Sequence, residues 1–269
     1  MTRNIFDPDE ALAHQQVKTR KKRTTRADKV AHGDSPTPKG VEIEKIGDRL
    51  KQFVPTDSQK TYINKIRGNT LTICDAHAGT GKSSAALWYF AQEYLANPHM
   101  NIMIIRTPVE LGDDKIGFLP DSAASKIAPH FESTKCLLEQ FLGKTKVAAD
   151  LEKRIFFNIP NFVLGRTIDN TLLLIDEAQV ISSGVMKLLL ERIGKNTKVV
   201  VAGCTQQMYA GDKKRGGLDD LINRMYAKEQ DGDDTIFTPK YDDVALHHFG
   251  IEDVMRSDFV KTIIQAYGG

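Results

Sequence analysis

Four short apolar runs, separated by stretches rich in helix formers, restrict the fold of this chain most strongly. The runs are TLTIC (70–74), NIMIIR (101–106), LLLID (172–176) and KVVVAG (198–203). Continuous apolar strands that alternate with helices are typical of a parallel sheet covered on both faces. The sequence therefore predicts an α/β fold, a parallel sheet with helices on both faces. In such sheets, ligands bind beyond the carboxyl ends of the strands.

The segment DAHAGTGKSS (75–84) joins the first apolar run to a helix-like stretch. It matches the phosphate-binding pattern G-x-x-x-x-G-K-[ST], except that Ala76 stands at the first glycine. Backbone N–H groups of such a loop hold phosphate oxygens at a helix N-terminus. Ala76 suits this position if its φ is negative, since a positive φ would cost about 1 kcal/mol. The predicted nucleotide-binding residues of the loop are Ala78, Gly79, Thr80, Gly81, Lys82, Ser83 and Ser84.

Side chains in the loop and after the third apolar run have predicted chemical roles. Lys82 is placed to reach the β- and γ-phosphates, and the Ser83 hydroxyl is placed to bind Mg²⁺. Asp176 and Glu177 follow the third run, in LLLIDEAQ (172–179). An acidic residue at the end of a buried strand suits Mg²⁺, so Asp176 is the second predicted metal ligand. Glu177 can polarise a water for in-line attack on the γ-phosphate.

Five further residues are candidates whose roles the residues alone leave open. Gln207 or Gln206, after the fourth run, could sense the γ-phosphate or belong to an ordinary polar loop. Arg166 and Arg256 could each stabilise the charge of the transition state or lie on the surface. Gln59, some twenty residues before the loop, has an amide that could bind the adenine edge as a cofactor contact.

Residues 1–40 differ in composition from the remainder of the chain. They hold nine Lys or Arg against five Asp or Glu, while the whole chain has a net charge of +2. They also hold few large apolar side chains, and such a segment cannot offset the entropy of becoming ordered. We predict a disordered basic arm at 1–40 and a single domain at 41–269. The arm either touches nucleic acid or is a solvated tail.

The cysteine content and the lengths of the apolar runs indicate in which cellular compartment the protein is expected. The three cysteines have no paired or metal-binding spacing, so neither a disulfide framework nor a zinc site is expected. No apolar run approaches transmembrane length, and the N-terminus lacks the apolar region of a signal peptide. We therefore expect a cytoplasmic protein that does not contact a membrane.

The order of these motifs resembles the PhoH family of P-loop ATPases, which is related to the first helicase superfamily. The resemblance runs from about Gln59 to Tyr267. The family's phosphate loop, G-P-A-G-T-G-K-T, is matched by AHAGTGKS (76–83), and its block R-x-A-V-E-x-G-x-x-x-G-F-L-P-G is matched by RTPVELGDDKIGFLPD (106–121). The family's G-R-T is present as GRT (165–167), and its Walker B motif as LLLIDEAQ (172–179). The family's G-D-x-T-Q is matched by GCTQQ (203–207), and its D-V-V-R-H-P-L-V by EDVMRSDFV (252–260). This sequence departs from the family pattern at Ala76, Asp121 and Cys204, among others.

The resemblance implies that the domain at 41–269 is a RecA-like P-loop NTPase that uses ATP and Mg²⁺. It favours Gln207 as the γ-phosphate sensor and Arg256 as an arginine acting across a subunit boundary. With Lys82 and Glu177, these make up the predicted catalytic set. Family members are linked to phosphate starvation and, in some cases, to RNA unwinding or processing. We therefore expect an ATPase that works on RNA or single-stranded DNA.

The same resemblance leaves the assembly and the mode of action as expectations. Because the chain has room for one RecA-like core, we expect a homo-oligomeric ring, for example a hexamer. An ATP-dependent binding switch without motor activity is the alternative, kept open by Cys204. A viral packaging ATPase would also carry a P-loop and an acidic pair, but the GFLPD sequence (117–121) argues against it. The departures and the basic arm suggest a divergent member, such as those that phages carry, which would place the protein in the host cytoplasm.

Overall fold

The structure is a computed structural model that describes residues 47–107, 123–207, 216–232 and 234–267. The predicted basic arm at 1–40 and most of the RTPVELGDDKIGFLPD segment lie outside the described residues.

Six parallel strands form the central sheet of the described chain, and two more strands form a separate antiparallel hairpin. The strands are β1 (Leu71–Ala76), β2 (Asn101–Arg106), β3 (Ile155–Asn158), β4 (Thr171–Asp176), β5 (Lys198–Gly203), β6 (Tyr226–Asp231), β7 (Asp234–Pro239) and β8 (Val244–Phe249). The helices are α1 (Asp57–Gly68), α2 (Lys82–Ala96), α3 (Ala123–Leu142), α4 (Lys144–Asp150), α5 (Ser183–Leu190), α6 (Gly217–Met225) and α7 (Asp258–Ala266), with a further helical segment at 47–52.

Both faces of the sheet are covered by helices, as predicted. Alternate residues of the central strands point to opposite sides, so each strand contributes to two apolar clusters. On one side, Leu172 and Leu174 pack with side chains of α1, α2 and α3. On the other side, Leu173 and Ile175 pack with side chains of α5 and α6. Because the strands are buried on both faces, they are apolar without alternation, which is why they could be found in the sequence.

The strand order brings the predicted site residues to one edge of the sheet. The order is β3-β2-β4-β5-β1-β8, and the four predicted runs are β2, β4, β5 and β1. β5 lies between β1, which leads into the phosphate loop, and β4, which ends at Asp176. All these strands are parallel, so the loop, the acidic pair and the residues after β5 meet at the carboxyl edge. This arrangement is that of a RecA-like P-loop fold.

Three features of the fold were not predicted from the sequence. β3 has only four residues, and β8 carries two histidines in VALHHF, so neither shows a continuous apolar run. The β6–β7 hairpin is mostly exposed and polar.

Within the described residues, none of the helices combines the length and the apolar composition needed to cross a membrane.

Candidate nucleotide-binding site

The phosphate loop leaves β1 at Ala76, and this residue belongs to the strand. Ala76 is buried and pairs with Phe249 of β8. Among the described residues, the left-handed backbone angles of the loop fall on Gly79 (φ 91°) and Gly81 (φ 80°). The missing first glycine therefore does not disturb the loop, because the two positions that need glycine have it.

Gln59 ties the loop to the start of α1. Its side chain is 1% exposed. Nε2 of Gln59 donates to the Thr80 carbonyl at 3.1 Å, and Oε1 accepts from the backbone N–H of Thr56 at 3.1 Å. The Thr56 hydroxyl accepts from the backbone N–H of Gln59, which completes a capping box. A Cβ at Gly81 would collide with the Gln59 amide, so glycine is also needed there for this close approach.

The segment after β8 also contacts the loop, next to Gln59. The backbone N–H of Met255 donates to the Gly79 carbonyl at 3.0 Å. A Cβ at Gly79 would lie 2.8 Å from Cγ of Arg256, so the arginine stem packs directly against this glycine. Arg256 is exposed overall, and it lies beside the phosphate loop of its own chain.

The acidic residue at the end of β4 is hydrogen-bonded to the loop. The Ser83 hydroxyl donates to Oδ1 of Asp176 at 3.0 Å. Nζ of Lys82 donates to the Ala76 carbonyl at 3.4 Å, within the same buried region. Burial raises the pKa of Asp176, and the neighbouring Glu177 adds to this, while Arg106, Lys82 and the Ser83 hydroxyl oppose it. Ser83 at the phosphate loop and Asp176 at the end of β4 are therefore in direct contact, as a shared metal site requires.

The oxygens of Ser83 and Asp176 fit a magnesium ion. Their 3.0 Å separation is close to that between neighbouring ligands of an octahedral Mg²⁺, about 2.9 Å for bonds of about 2.0–2.1 Å. In the part of the chain that the structure describes, no group of three His, Cys, Asp or Glu could hold a metal ion. Mg²⁺ typically uses one or two carboxylates, waters and substrate phosphates, so the site suits a metal that arrives with a nucleotide.

Glu177 has both carboxylate oxygens engaged by side chains that were not identified from the sequence. Oε1 accepts from Nη2 of Arg106 at 3.2 Å, and Oε2 accepts from Nε2 of Gln179 at 2.7 Å. Glu177 itself has a left-handed backbone, with φ 53°. Arg106 ends β2 directly opposite Asp176 in the register, so its position as the last residue of the second apolar run was the available signal.

The residues after β5 form a second polar group at this edge. The backbone N–H of Cys204 donates to Oε1 of Gln179 at 3.2 Å, and Cys204 Sγ lies 3.8 Å from Nδ1 of His77. Burial raises the pKa of the Cys204 thiol. Asp75 accepts from both the backbone N–H and the hydroxyl of Thr205, at 2.8 and 2.7 Å. The sensor candidates Gln206 and Gln207 follow in a short 3₁₀ turn, where both are exposed.

Two further candidate residues, Arg166 and Ser84, take no part in the Ser83–Asp176 contact. Arg166 is exposed, and its guanidinium lies 5.9 Å from the centre of the Phe156 ring on the edge strand β3. Three strands separate β3 from β1, so Arg166 is not brought to the loop. Ser84 lines a cleft of about 960 Å³ beside α2, together with Phe53 and Arg49.

A parallel sheet with a glycine loop after β1 and a metal-competent acidic residue after β4 defines a protein with a P-loop NTPase fold. Such a fold in general binds nucleotide and Mg²⁺. The sequence pattern of the family described as PhoH-like protein matches residues 54–268. The chain therefore belongs to the PhoH-like family.

Curated relatives agree with this assignment. Protein PhoH of Escherichia coli strain K12 is 32% identical over 219 residues, which cover 78% of this chain and 56% of that protein. A PhoH-like protein of Synechocystis is 29% identical, covering 79% of this chain and 61% of its own length, and one of Bacillus subtilis is 28% identical, covering 80% and 63%. The chain thus spans about 56 to 63% of the length of these relatives. A solved structure of FlhF with GMPPNP and Mg²⁺ aligns with 75% of this chain at 11% identity, but a TM-score of 0.19 is too low to bear on the fold.

Proposed function

We propose that this chain is a Mg²⁺-dependent ATPase whose hydrolysis is coupled to work on RNA or single-stranded DNA. The observation that carries the ATPase part is the hydrogen bond between Ser83 and Asp176, with Glu177 next in sequence. It places the loop serine, the acidic residue and a candidate general base within one site. The family assignment supports the same class of activity.

Each residue of the site has a proposed step. Lys82 would exchange the Ala76 carbonyl for oxygens of the β- and γ-phosphates. Ser83 and Asp176 would hold Mg²⁺, which when bound neutralises phosphate charge. Glu177 would accept a proton from the attacking water.

The ends of the nucleotide would be recognised by different parts of the site. Nε2 of Gln59 has a second N–H, near the sulfur of Met255 at 3.9 Å, with which it could read the adenine edge. At the other end, we propose that Gln207 senses the γ-phosphate.

We propose that Arg256 acts on the nucleotide of its own chain. The family resemblance favours action on a neighbouring subunit, but the contact of Arg256 with Gly79 of the same chain supports action in cis. A ring of several copies remains part of the proposal, because an ATPase with a single RecA-like core usually completes its site from a neighbouring subunit. Light scattering of the protein with and without ATP would test for the ring, and a monomer under both conditions would exclude it.

The decisive assay for the proposed function is the rate of phosphate release from ATP with no polymer, with RNA and with single-stranded DNA. We expect Mg²⁺-dependent release that one polymer stimulates. Lys82→Ala should lower the rate by about 100-fold or more, because it removes a charge from the transition state. Lys187→Ala, which changes an exposed lysine on α5, is the matched control and should be neutral. No release above the Lys82→Ala background would contradict the proposal.

The alternative, an ATP-dependent binding switch without motor activity, is supported by the engaged carboxylate of Glu177 and by Cys204, which replaces the acidic residue of the family's G-D-x-T-Q motif. A strand-displacement assay separates the two functions. A motor unwinds a duplex when ATP is present. A switch binds the polymer in an ATP-dependent way but leaves the duplex intact.

A further inference from the structure

We propose that Arg106 is a positioning residue that restrains the general base Glu177 until a nucleoside triphosphate draws its guanidinium away. This inference rests on the proposed ATPase function and adds a control step to it. The nucleotide-free protein would thereby hold its base out of reaction, and the triphosphate would release it.

The restraint is visible in the hydrogen bonds of Glu177. A general base must turn one carboxylate oxygen towards the attacking water. Here Arg106 and Gln179 each hold one of the two oxygens, so the carboxylate is fixed from both sides. The left-handed backbone of Glu177 is uncommon for a residue with a Cβ and persists where the surroundings hold it in place. One of the two donors must therefore give way for the carboxylate to turn.

Of the two donors, Arg106 is the one able to leave. Gln179 is 5% exposed, and its Oε1 also accepts from the backbone N–H of Cys204, so moving it would strand a buried N–H group. A Cβ at Gly203 would lie 2.6 Å from the same oxygen, which shows how closely Gln179 is packed. The side chain of Arg106 is 23% exposed. Within the part of the chain that the structure describes, it also donates to the His130 carbonyl and the Ser133 hydroxyl on α3.

The ligand that would compete for Arg106 is the phosphate chain of the nucleotide. Arg106 stands opposite Asp176 in the β2–β4 register, and Asp176 is hydrogen-bonded to the phosphate loop. A guanidinium binds phosphate oxygens with two parallel hydrogen bonds, which a single bond to a carboxylate does not match. A triphosphate in the loop would thus offer Arg106 a better partner than Glu177.

The test compares Arg106→Gln, Arg106→Lys and the wild-type protein in ATP hydrolysis without polymer, with kcat and KM measured separately. In the ATP complex the phosphates and Glu177 compete for Arg106, so Glu177 is still held in part of the molecules; Arg106→Gln frees it in all of them and should raise kcat by about two- to tenfold, as expected for loss of one partly exposed charged hydrogen bond. Arg106→Lys keeps the charge and should lie between the two. Arg166→Gln changes an exposed arginine on Phe156 and is the matched control, with no change expected.

Other outcomes separate failure of this inference from failure of the proposed function. A lower kcat for Arg106→Gln in an active enzyme would overturn the restraint and assign Arg106 a productive role. A higher KM with unchanged kcat would make it only a nucleotide contact. If wild type and all variants bind ATP but release no phosphate, the ATPase proposal itself fails, and the restraint fails with it. If Arg106→Gln hydrolyses ATP and the wild-type protein does not, the restraint is supported, because Arg106 would then block Glu177 completely.

Discussion

Replacing Gln59 with alanine would break the link between helix α1 and the phosphate loop. The Thr80 carbonyl would lose a buried hydrogen bond at 3.1 Å, and the backbone N–H of Thr56 would lose its acceptor at the helix start. A buried group left unpaired costs about 1–3 kcal/mol, and loss of the second hydrogen bond of the capping box costs about 1 kcal/mol. The Thr56 hydroxyl keeps its hydrogen bond with the backbone N–H of residue 59. We therefore expect the free energy of unfolding to fall by roughly 2–4 kcal/mol. At about 2–4 °C per kcal/mol, the melting temperature should drop by roughly 5–15 °C.

Thermal unfolding without nucleotide, together with binding of ATP and GTP, separates the two roles of Gln59. Gln59→Glu is the informative partner variant above the pKa of its carboxyl, because the ionised side chain keeps the acceptor for Thr56 but cannot donate to Thr80. We expect it to keep the helix cap and to lose the loop contact. A melting temperature of Gln59→Ala within about 1 °C of wild type would refute the structural role. Equal loss of ATP and GTP affinity would refute adenine reading.

Three further predictions concern the same site. Because burial raises the folded-state pKa of Asp176, its contribution to stability is greatest at low pH and is lost as the pH rises through that pKa. Thermal unfolding over a pH series should therefore find Asp176→Asn at least as stable as wild type at neutral pH. The variant should nevertheless no longer bind Mg²⁺-ATP. Lower stability of the variant at neutral pH would contradict this reasoning. If Arg256 acts in cis, mixing Arg256→Ala with Lys82→Ala should restore no phosphate release, whereas partial recovery would show action in trans. Gly79→Ala should weaken nucleotide binding by tenfold or more, on the order of 1.4 kcal/mol. The reason is that the φ of Gly79 is positive and a Cβ there would meet Arg256. Wild-type affinity measured by calorimetry would contradict the close contact between Gly79 and Arg256.

The parts of the fold that could be predicted are those with continuous apolar strands. β1, β2, β4 and β5 are buried on both faces, so their sequences alone mark them. The exposed hairpin and the short edge strand β3 bury too little apolar surface to leave such a pattern. β8 forms the other edge and tolerates His248, which is exposed there.

The parts of the site that could be predicted are those that follow directly from a strand end. Ser83 and Asp176 meet because β1 and β4 are parallel and end at the same edge. The contact of Arg106 with Glu177 depends on the pairing of β2 with β4, which sequence spacing does not contain. The contact of Arg256 with Gly79 likewise depends on the turn that follows β8.

The most direct test of the central claim is a comparison of binding and turnover in Glu177→Gln. The amide keeps the shape of the carboxylate but cannot accept the proton of the attacking water. Calorimetry should find Mg²⁺-ATP affinity close to wild type, while phosphate release falls by about 100-fold or more. Undiminished phosphate release by Glu177→Gln would contradict the account, because Glu177 would then not be the general base of this site.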